Sequence, residues 1–307
     1  MAKPIKPLVL LVLCAAAEGI AQQVNDPEFS TRVEQPAFTK KHPRVGIDEA
    51  HRNFHTREGR YKPFASLMES DGYVVSAAPR FESGSLKGVD ILVIANALGE
   101  ARDGGMGPAF TPLECDAVRD WVRDGGSLLL IADHAPFGDA AAIMAERFGV
   151  EMGRGYVVDL KNSDGNPTNL VFSTDNGLLG NHAVIRGRNQ AEQVRRIVSF
   201  TGQSLSIPAE ATALMKLSTV ATETSDPQEL KKIVGGLPAG KKVEGRAQGI
   251  VMPFGKGRVA VFGEAAMFSA QVANISGRSI KAGMNVPGND DRQFALNLMH
   301  WLARLIN

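Results

Sequence analysis

The stretch Leu128-Leu-Leu-Ile-Ala-Asp133-His134 decides the fold of this chain, and Arg44-Val-Gly-Ile-Asp48-Glu-Ala-His51 repeats its pattern. Each is an apolar run that ends in acid and imidazole. Runs of this length and continuity are typical of strands that are buried on both faces of a parallel sheet. In open α/β sheets, ligands bind beyond the carboxyl ends of the strands. The two stretches therefore predict a parallel sheet with a functional site at one edge.

The rest of the chain extends this pattern. Further apolar strands are predicted at residues 73–77, 89–95 and 258–262, with amphipathic helices between several of them. Strands that alternate with helices predict an α/β fold with a doubly wound, mostly parallel sheet. A hairpin is expected around Phe254-Gly-Lys-Gly257, and a C-terminal helix at residues 290–306.

One helix carries complete boundary signals. Thr111 is the predicted N-cap, Pro112 stands in the first turn, and Glu114 completes a capping box. Gly125 and Gly126 are expected to end this helix. It should lead directly into the strand that ends at Asp133.

The domain organisation is predicted as one export signal followed by one domain. Residues 1–21 combine a basic start, a short apolar block and a small-residue exit, which is typical of a signal peptide. Residues 22–43 form an extended lead-in, and residues 44–306 a single α/β domain with an exposed excursion near 222–245. We expect cleavage after Ala21 and a periplasmic or secreted protein.

Composition excludes several classes of partner. The formal net charge is +1, and removal of residues 1–21 takes it to zero. A neutral chain has no electrostatic footprint for nucleic acid. The signal is too short to span a bilayer, so no membrane span is expected after cleavage. Cys115 alone remains in the mature chain, which rules out an internal disulfide.

The candidate site residues are the polar groups at predicted strand ends. The catalytic candidates are Asp48, His51, Asp133, His134 and Glu264, and the ligand-binding candidates are Glu49, His55, Asn96 and Asn285. Carboxylates and imidazoles suit general acid–base catalysis, or a divalent metal ion such as Zn, Mn or Fe. The structural alternative is that Asp48 and Asp133 cap the segments that follow, and that Glu264 pairs with an arginine or lysine.

Several longer motifs resemble one family of bacterial exported proteins, those with a DUF4350-type domain. The motifs are Asp48-Glu-Ala-His-x-Asn-Phe-His55, Arg60-Tyr-Lys-Pro-Phe64, Ala132-Asp-His-Ala-Pro-Phe-Gly138, Phe200-Thr-Gly-Gln-Ser-Leu205, Gly263-Glu-Ala-Ala-Met267 and Phe294-Ala-Leu-Asn-x-x-His-Trp-Leu302. This resemblance covers roughly residues 44–305 and implies a flavodoxin-like fold similar to class I glutamine amidotransferases, without a settled activity. Those enzymes need a cysteine at the strand-to-helix turn, where this chain has Asp133 and His134, so glutamine hydrolysis is not expected.

Two functions remain open at this point. The first is a hydrolase-like enzyme that acts on a small polar or carbohydrate-like ligand. The alternative is a non-catalytic envelope module that binds such a ligand or a partner in the same crevice. Carboxyl groups with strongly shifted pKa values would favour the enzyme. Carboxylates held in salt bridges by Arg44, Arg60 or Arg102 would favour the module.

Overall fold

The computed structural model describes residues 23–102, 105–275 and 278–307. The predicted signal peptide, residues 1–21, lies outside the described residues. The strands are β1 (Val24–Asn25), β2 (Arg44–Ile47), β3 (Val74–Ala77), β4 (Ile91–Ala95), β5 (Ala101–Arg102), β6 (Gly105–Met106), β7 (Ser127–Ile131), β8 (Tyr156–Val158), β9 (Asn169–Ser173), β10 (Arg196–Phe200), β11 (Thr212–Lys216), β12 (Thr222–Thr224), β13 (Lys241–Lys242), β14 (Ala247–Phe254), β15 (Gly257–Phe262), β16 (Ala270–Ile275) and β17 (Arg278–Gly283).

The α-helices are α1 (Lys62–Ser70), α2 (Pro112–Arg123), α3 (Phe137–Glu146), α4 (Ala183–Arg186), α5 (Pro227–Val234) and α6 (Asp291–Leu302). The predicted boundary of α2 is confirmed. Thr111 and Glu114 form a reciprocal capping box, and Pro112 occupies the first helical position. These contacts satisfy backbone N–H groups that a helix otherwise leaves unpaired at its start.

A seven-stranded sheet forms the centre of the molecule, in the order β11-β14-β15-β7-β4-β2-β3. Within it the five successive strands β15, β7, β4, β2 and β3 are parallel to one another. The hairpin β14–β15 and the pair β11–β14 are antiparallel. At the hairpin turn Gly255 has φ +58°, and a Cβ there would lie 2.6 Å from the carbonyl oxygen of Arg123. Glycine is therefore required where this turn passes α2.

The prediction of a doubly wound, mostly parallel flavodoxin-like sheet is wrong. The central sheet is mixed, and the four smaller sheets of the described residues contain only antiparallel pairs. The physical reason lies in the connections. Parallel neighbours need a crossover segment between them, which the first half of the chain supplies with helices. From residue 156 onward, strands follow one another largely without such helices, and apart from the parallel pair of β15 with β7 they pair antiparallel.

Apolar side chains pack on both faces of the central sheet. Val93 and Leu129 face a core that includes residues of α1 and α6. Leu92 and Leu128, their neighbours in sequence, face a second core with residues of α2 and α3. Successive side chains of a strand point to opposite faces, so continuous apolar runs can fill two cores at once. This double burial holds the carboxyl ends of β4 and β7 rigidly in place.

The segment predicted as an exposed excursion, residues 222–245, is folded. It contains β12, α5 and β13, and β12 pairs with both β13 and β8. Leu230, Ile233 and Val234 of α5 are buried in a small separate cluster with Val158. Among the described residues, no helix is long and apolar enough to cross a membrane.

Candidate active site

Four neighbouring parallel strands carry predicted site residues just beyond their carboxyl ends. In sheet order these are Asp48 after β2, Asn96 after β4, Asp133 after β7 and Glu264 after β15. Ile131 and Phe262 are register partners, and Asp133 and Glu264 each follow two residues later. The two carboxyl groups therefore leave adjacent strands, about 4.8 Å apart, at the same height. Asp48 is separated from Asp133 by β4.

Asp133 and Glu264 form a pair of buried acids, which we call the acid pair. Asp133 has 8% of its surface exposed and Glu264 has none. The two oxygens of Glu264 accept the backbone N–H groups of Ala266 at 2.6 Å and Met267 at 2.8 Å. Oδ1 of Asp133 accepts the N–H of His134 at 2.7 Å. Backbone donors thus orient both carboxyl groups.

The surroundings favour a proton on this pair. Burial, followed by the negative charge of Asp133, raises the pKa of Glu264 well above its ordinary value. Burial also raises the pKa of Asp133, although His134 and Arg60 oppose it. No lysine or arginine ion pair to either carboxyl occurs among the described residues, and Arg44 pairs instead with Asp90 at 3.1 Å. Two adjacent carboxyl groups in a dry site hold one proton between them more readily than two negative charges.

Two buried amides fix the backbone of Asp133. Oδ1 of Asn96 accepts the Asp133 N–H at 2.9 Å. Nε2 of Gln203 donates to the carbonyl oxygens of Ala132 at 2.7 Å and Asp133 at 3.0 Å. Asn96 and Gln203 are both essentially inaccessible. The peptide groups on both sides of Asp133 are therefore held in one orientation before any ligand binds.

Asn96 also links Asp133 to His55. The amide of Asn96 lies 3.1 Å from Nδ1 of His55, which therefore accepts. Burial, and then the charge of Arg60, lower the pKa of His55 to about 3. His55 is consequently neutral at physiological pH and carries its proton on Nε2. Asn96 has φ +48°, a left-handed conformation that directs its amide between the two partners.

His134 is the more accessible neighbour of Asp133, with 17% of its side chain exposed. Its Nδ1 donates to the carbonyl oxygen of Ala135 at 2.9 Å. When the ring is neutral, its lone pair is on Nε2, which lies 3.9 Å from Oδ1 of Asp133. Tyr156 of β8 stacks on the imidazole with ring centroids 4.6 Å apart. Stacking and the Nδ1 bond together set the position of Nε2.

Tyr61 is a member of the site that sequence reasoning missed. Its hydroxyl donates to the carbonyl oxygen of Ala265 at 3.0 Å. Burial, then the negative charges of Glu264 and Asp133, raise the pKa of Tyr61 well above its ordinary value. In the sequence, Tyr61 is one more aromatic residue at the start of an amphipathic helix. Only the fold brings it under the acid pair.

Asp48 and His51 belong to a second, separate cluster. Nδ1 of His51 lies 2.9 Å from both oxygens of Asp48, and its Nε2 lies 3.2 Å from Oε1 of Glu114. Burial lowers the pKa of His51, but the bonds and charges of Asp48 and Glu114 outweigh it and raise that pKa. Phe81 and Phe110 pack on the ring at 4.8 and 4.7 Å. Both ring nitrogens are engaged, so His51 ties the loop after β2 to the start of α2.

Two predicted ligand-binding residues lie in other contacts. Oε1 of Glu49 accepts the backbone N–H of Arg57 at 2.7 Å. Nδ2 of Asn285 donates to Asp26 at 2.8 Å and to the carbonyl oxygen of Gln271 at 3.0 Å. Neither contact includes a member of the acid pair. These two residues hold loops together in the structure.

The structure gives no support to the prediction of a divalent metal ion at the candidate residues. Across the described ranges, no group of three or more His, Cys, Asp and Glu residues is placed to hold a metal ion. Asp48 and His51 are bound to each other, and Asp133 and Glu264 use backbone N–H donors. The arrangement suits proton transfer by side chains.

Comparison with known proteins shows a fold and no family. No family model matches the chain, and no curated protein matches it. The solved "mmIFT52 N-terminal domain" is similar with a TM-score of 0.58 at 16% identity, over 84% of this chain and 97% of that chain. The resemblance to DUF4350-type proteins stays a prediction.

Weaker structural similarities extend to proteins of different kinds. A cytoplasmic protein from Salmonella typhimurium has a TM-score of 0.43 at 13% identity, over 85% of this chain and 98% of that chain. A β-galactosidase from Bacillus circulans sp. alkalophilus has a TM-score of 0.38 at 8% identity, over 86% of this chain but only 31% of that chain. Similarities of this strength carry no functional argument, so function must be argued from the site.

Proposed function

We propose that the protein is a hydrolase that uses general acid–base catalysis, with Asp133 and His134 as its catalytic residues. The observation that carries the proposal is the acid pair. Two adjacent carboxyl groups are buried without an arginine or lysine ion pair among the described residues, and their pKa values are raised. Such an arrangement is costly for stability, and perturbed carboxyl groups concentrate at catalytic sites.

The geometry suggests a division of roles. Nε2 of His134 is an acceptor and can take a proton from a water molecule as that water attacks the substrate. The proton of the acid pair rests on Glu264, whose pKa is the more strongly raised, and it can pass to Asp133 as Asp133 protonates the leaving group. After the reaction His134 carries one extra proton and the acid pair lacks one. Nε2 and Oδ1 are 3.9 Å apart, so a movement of about 1 Å brings them into direct hydrogen-bond contact, through which the proton returns to the acid pair.

Glu264, Asn96 and Gln203 support this chemistry without reaching solvent, since all are at most 1% exposed. Glu264 sets the proton affinity of Asp133, and the two amides hold its backbone. We infer that the substrate is a small polar or carbohydrate-like molecule that approaches from the side of His134. With the predicted signal peptide, the proposed place of action is the periplasm or the extracellular space.

A panel of chromogenic esters, phosphate monoesters and glycosides tests this proposal. We expect turnover of at least one class by the purified protein. Asp133→Asn and His134→Gln should each lower kcat by about 100-fold or more, which is the usual contribution of a positioned acid or base. Asp90→Asn is the matched control, because it removes a carboxylate outside the site and should leave kcat unchanged.

Two outcomes would contradict the hydrolase. One is the absence of turnover for every class. The other is turnover that survives in both Asp133→Asn and His134→Gln, since it would then arise elsewhere or from a contaminant. Saturable binding of a panel compound that is never turned over would instead favour the non-catalytic module.

A further inference from the structure

A cleft of about 520 Å³ opens at the end of the β9–β10 sheet. Its lining consists of Ser173, Thr174, Asp175, Gln193, Arg195 and Arg196. We call it the β9–β10 cleft, and none of these residues belongs to the acid pair or to the His51 cluster. Its volume is within the range of about 300–1,000 Å³ that is usual for small-molecule sites. Every lining residue is polar or charged, which differs from the apolar lining of most such sites.

The backbone of this cleft is fixed independently of its side chains. Oδ2 of Asp290 accepts the N–H groups of Arg195 at 2.7 Å and Arg196 at 3.0 Å. Arg196 pairs with Ser173 across the two strands. Arg196 is therefore the first residue of an ordered strand, and Arg195 precedes it with its backbone held by the same carboxylate.

The side chains still have hydrogen-bonding capacity to offer. Arg195 makes one long contact, 3.5 Å, to Oε1 of Gln193, which uses few of its five N–H donors. Oγ of Ser173 accepts a backbone N–H from Asn176 at 3.2 Å and keeps its own proton to donate. Asp175 is exposed and supplies acceptors. The cleft thus combines two cations, hydroxyl donors and one carboxylate.

We propose that the β9–β10 cleft is a second binding site, and that its ligand is a small hydroxylated molecule with one carboxylate or phosphate group. Guanidinium groups recognise both oxyanions by paired N–H donation. Asp175 and Gln193 would accept the hydroxyl groups of the carbon skeleton. An uncharged sugar would leave two cations unpaired, and a bare anion would face Asp175. The site is independent of the proposed hydrolase.

Calorimetric titration of the purified protein tests this site with four probes: glucuronate, glucose 6-phosphate, glucose and inorganic phosphate. We expect millimolar binding of glucuronate or glucose 6-phosphate, with the tighter of the two identifying the anion, and clearly weaker binding of glucose. The double variant Arg195→Gln/Arg196→Gln should weaken binding about tenfold, as expected from two exposed charge contacts. Arg32→Gln, an exposed arginine elsewhere, should leave it unchanged.

Asp175→Asn distinguishes recognition of the hydroxyl groups from recognition of the anion. It should weaken the hydroxylated acids, because it replaces one of two acceptor oxygens by an NH₂ donor, and it should strengthen inorganic phosphate, because it removes a repulsive charge. The proposal is overturned if neither acid binds, if glucose binds as well as glucuronate, or if the double variant, shown by circular dichroism to be folded, binds normally. Equal effects of Asp175→Asn on all anions would also overturn it, since they would indicate unselective charge attraction.

Discussion

Asp133→Asn should stabilise the protein by about 2 kcal/mol at about pH 8 and have little effect near pH 4. The folded-state pKa of Asp133 is raised by burial. A carboxyl group whose pKa is higher in the folded state stabilises the fold fully only when the pH is below its unfolded-state pKa, about 3.9 for aspartate. This stabilisation is lost as the pH rises through the folded-state pKa. Above that, the ionised carboxylate of Asp133 destabilises the folded state, and asparagine removes this charge while its Oδ1 still accepts the His134 N–H.

Urea unfolding of both proteins at the two pH values measures this difference. Asp90→Asn is the control, for which the change in the free energy of unfolding should have the opposite sign. Partial burial raises the pKa of Asp90, but the hydrogen bonds from Arg44 outweigh burial and hold that pKa below its ordinary value. That variant should therefore lose stability above its unfolded pKa. An Asp133→Asn protein that is less stable than the wild type at both pH values would show that the carboxylate is a structural anchor.

Asn96→Ala should destabilise the protein by about 3 kcal/mol, the second large effect. The change leaves the buried N–H of Asp133 and Nδ1 of His55 without their partner, and it keeps a non-glycine residue at φ +48°. Asn96→Gly relieves only the backbone conformation and should recover about 1 kcal/mol of this loss. Chemical denaturation at neutral pH measures the free energy of unfolding of both variants.

Asn96→Asp tests the two hydrogen bonds of the Asn96 side chain separately. It keeps an acceptor for the Asp133 N–H but places a carboxylate beside His55, so the pKa of His55 should rise from about 3 toward its ordinary range. Proton NMR of the imidazole follows this change. The bridging role of Asn96 is wrong if the alanine variant stays within about 0.5 kcal/mol of the wild type or if His55 does not respond.

The strand ends of the site could be predicted from the sequence because each is a local pattern. An apolar run that ends in Asp48, Asn96, Asp133 or Glu264 shows both the strand and the polar group that follows it. Which of these groups meet depends on strand order, and order is not encoded locally. The placement of β4 between β2 and β7 splits the predicted cluster into two, with Asp48 and His51 in one part and Asp133 in the other.

The site residues that cannot be predicted from the sequence are those that are far from the acid pair along the chain. Gln203 reaches Asp133 across 70 positions of sequence, and Tyr61 reaches Ala265 across 204. The sequence pattern predicts only the capping role of Glu114, although Oε1 of this residue also contacts His51. The sequence does not predict the antiparallel pairs that dominate the second half of the chain, because short strands without helices between them have no periodic signal comparable to that of β7.

The central claim is that Asp133 and Glu264 share a proton, and site-resolved carbon-13 NMR of their side-chain carboxyl groups across a pH titration tests it most directly. We expect that one of the two remains protonated near neutral pH, and that Asp133→Asn lowers the titration midpoint of Glu264 because a neighbouring negative charge is gone. If both carboxyl groups instead titrate independently near their ordinary values of about 4, the pair holds no proton at neutral pH and the proposed general acid is excluded.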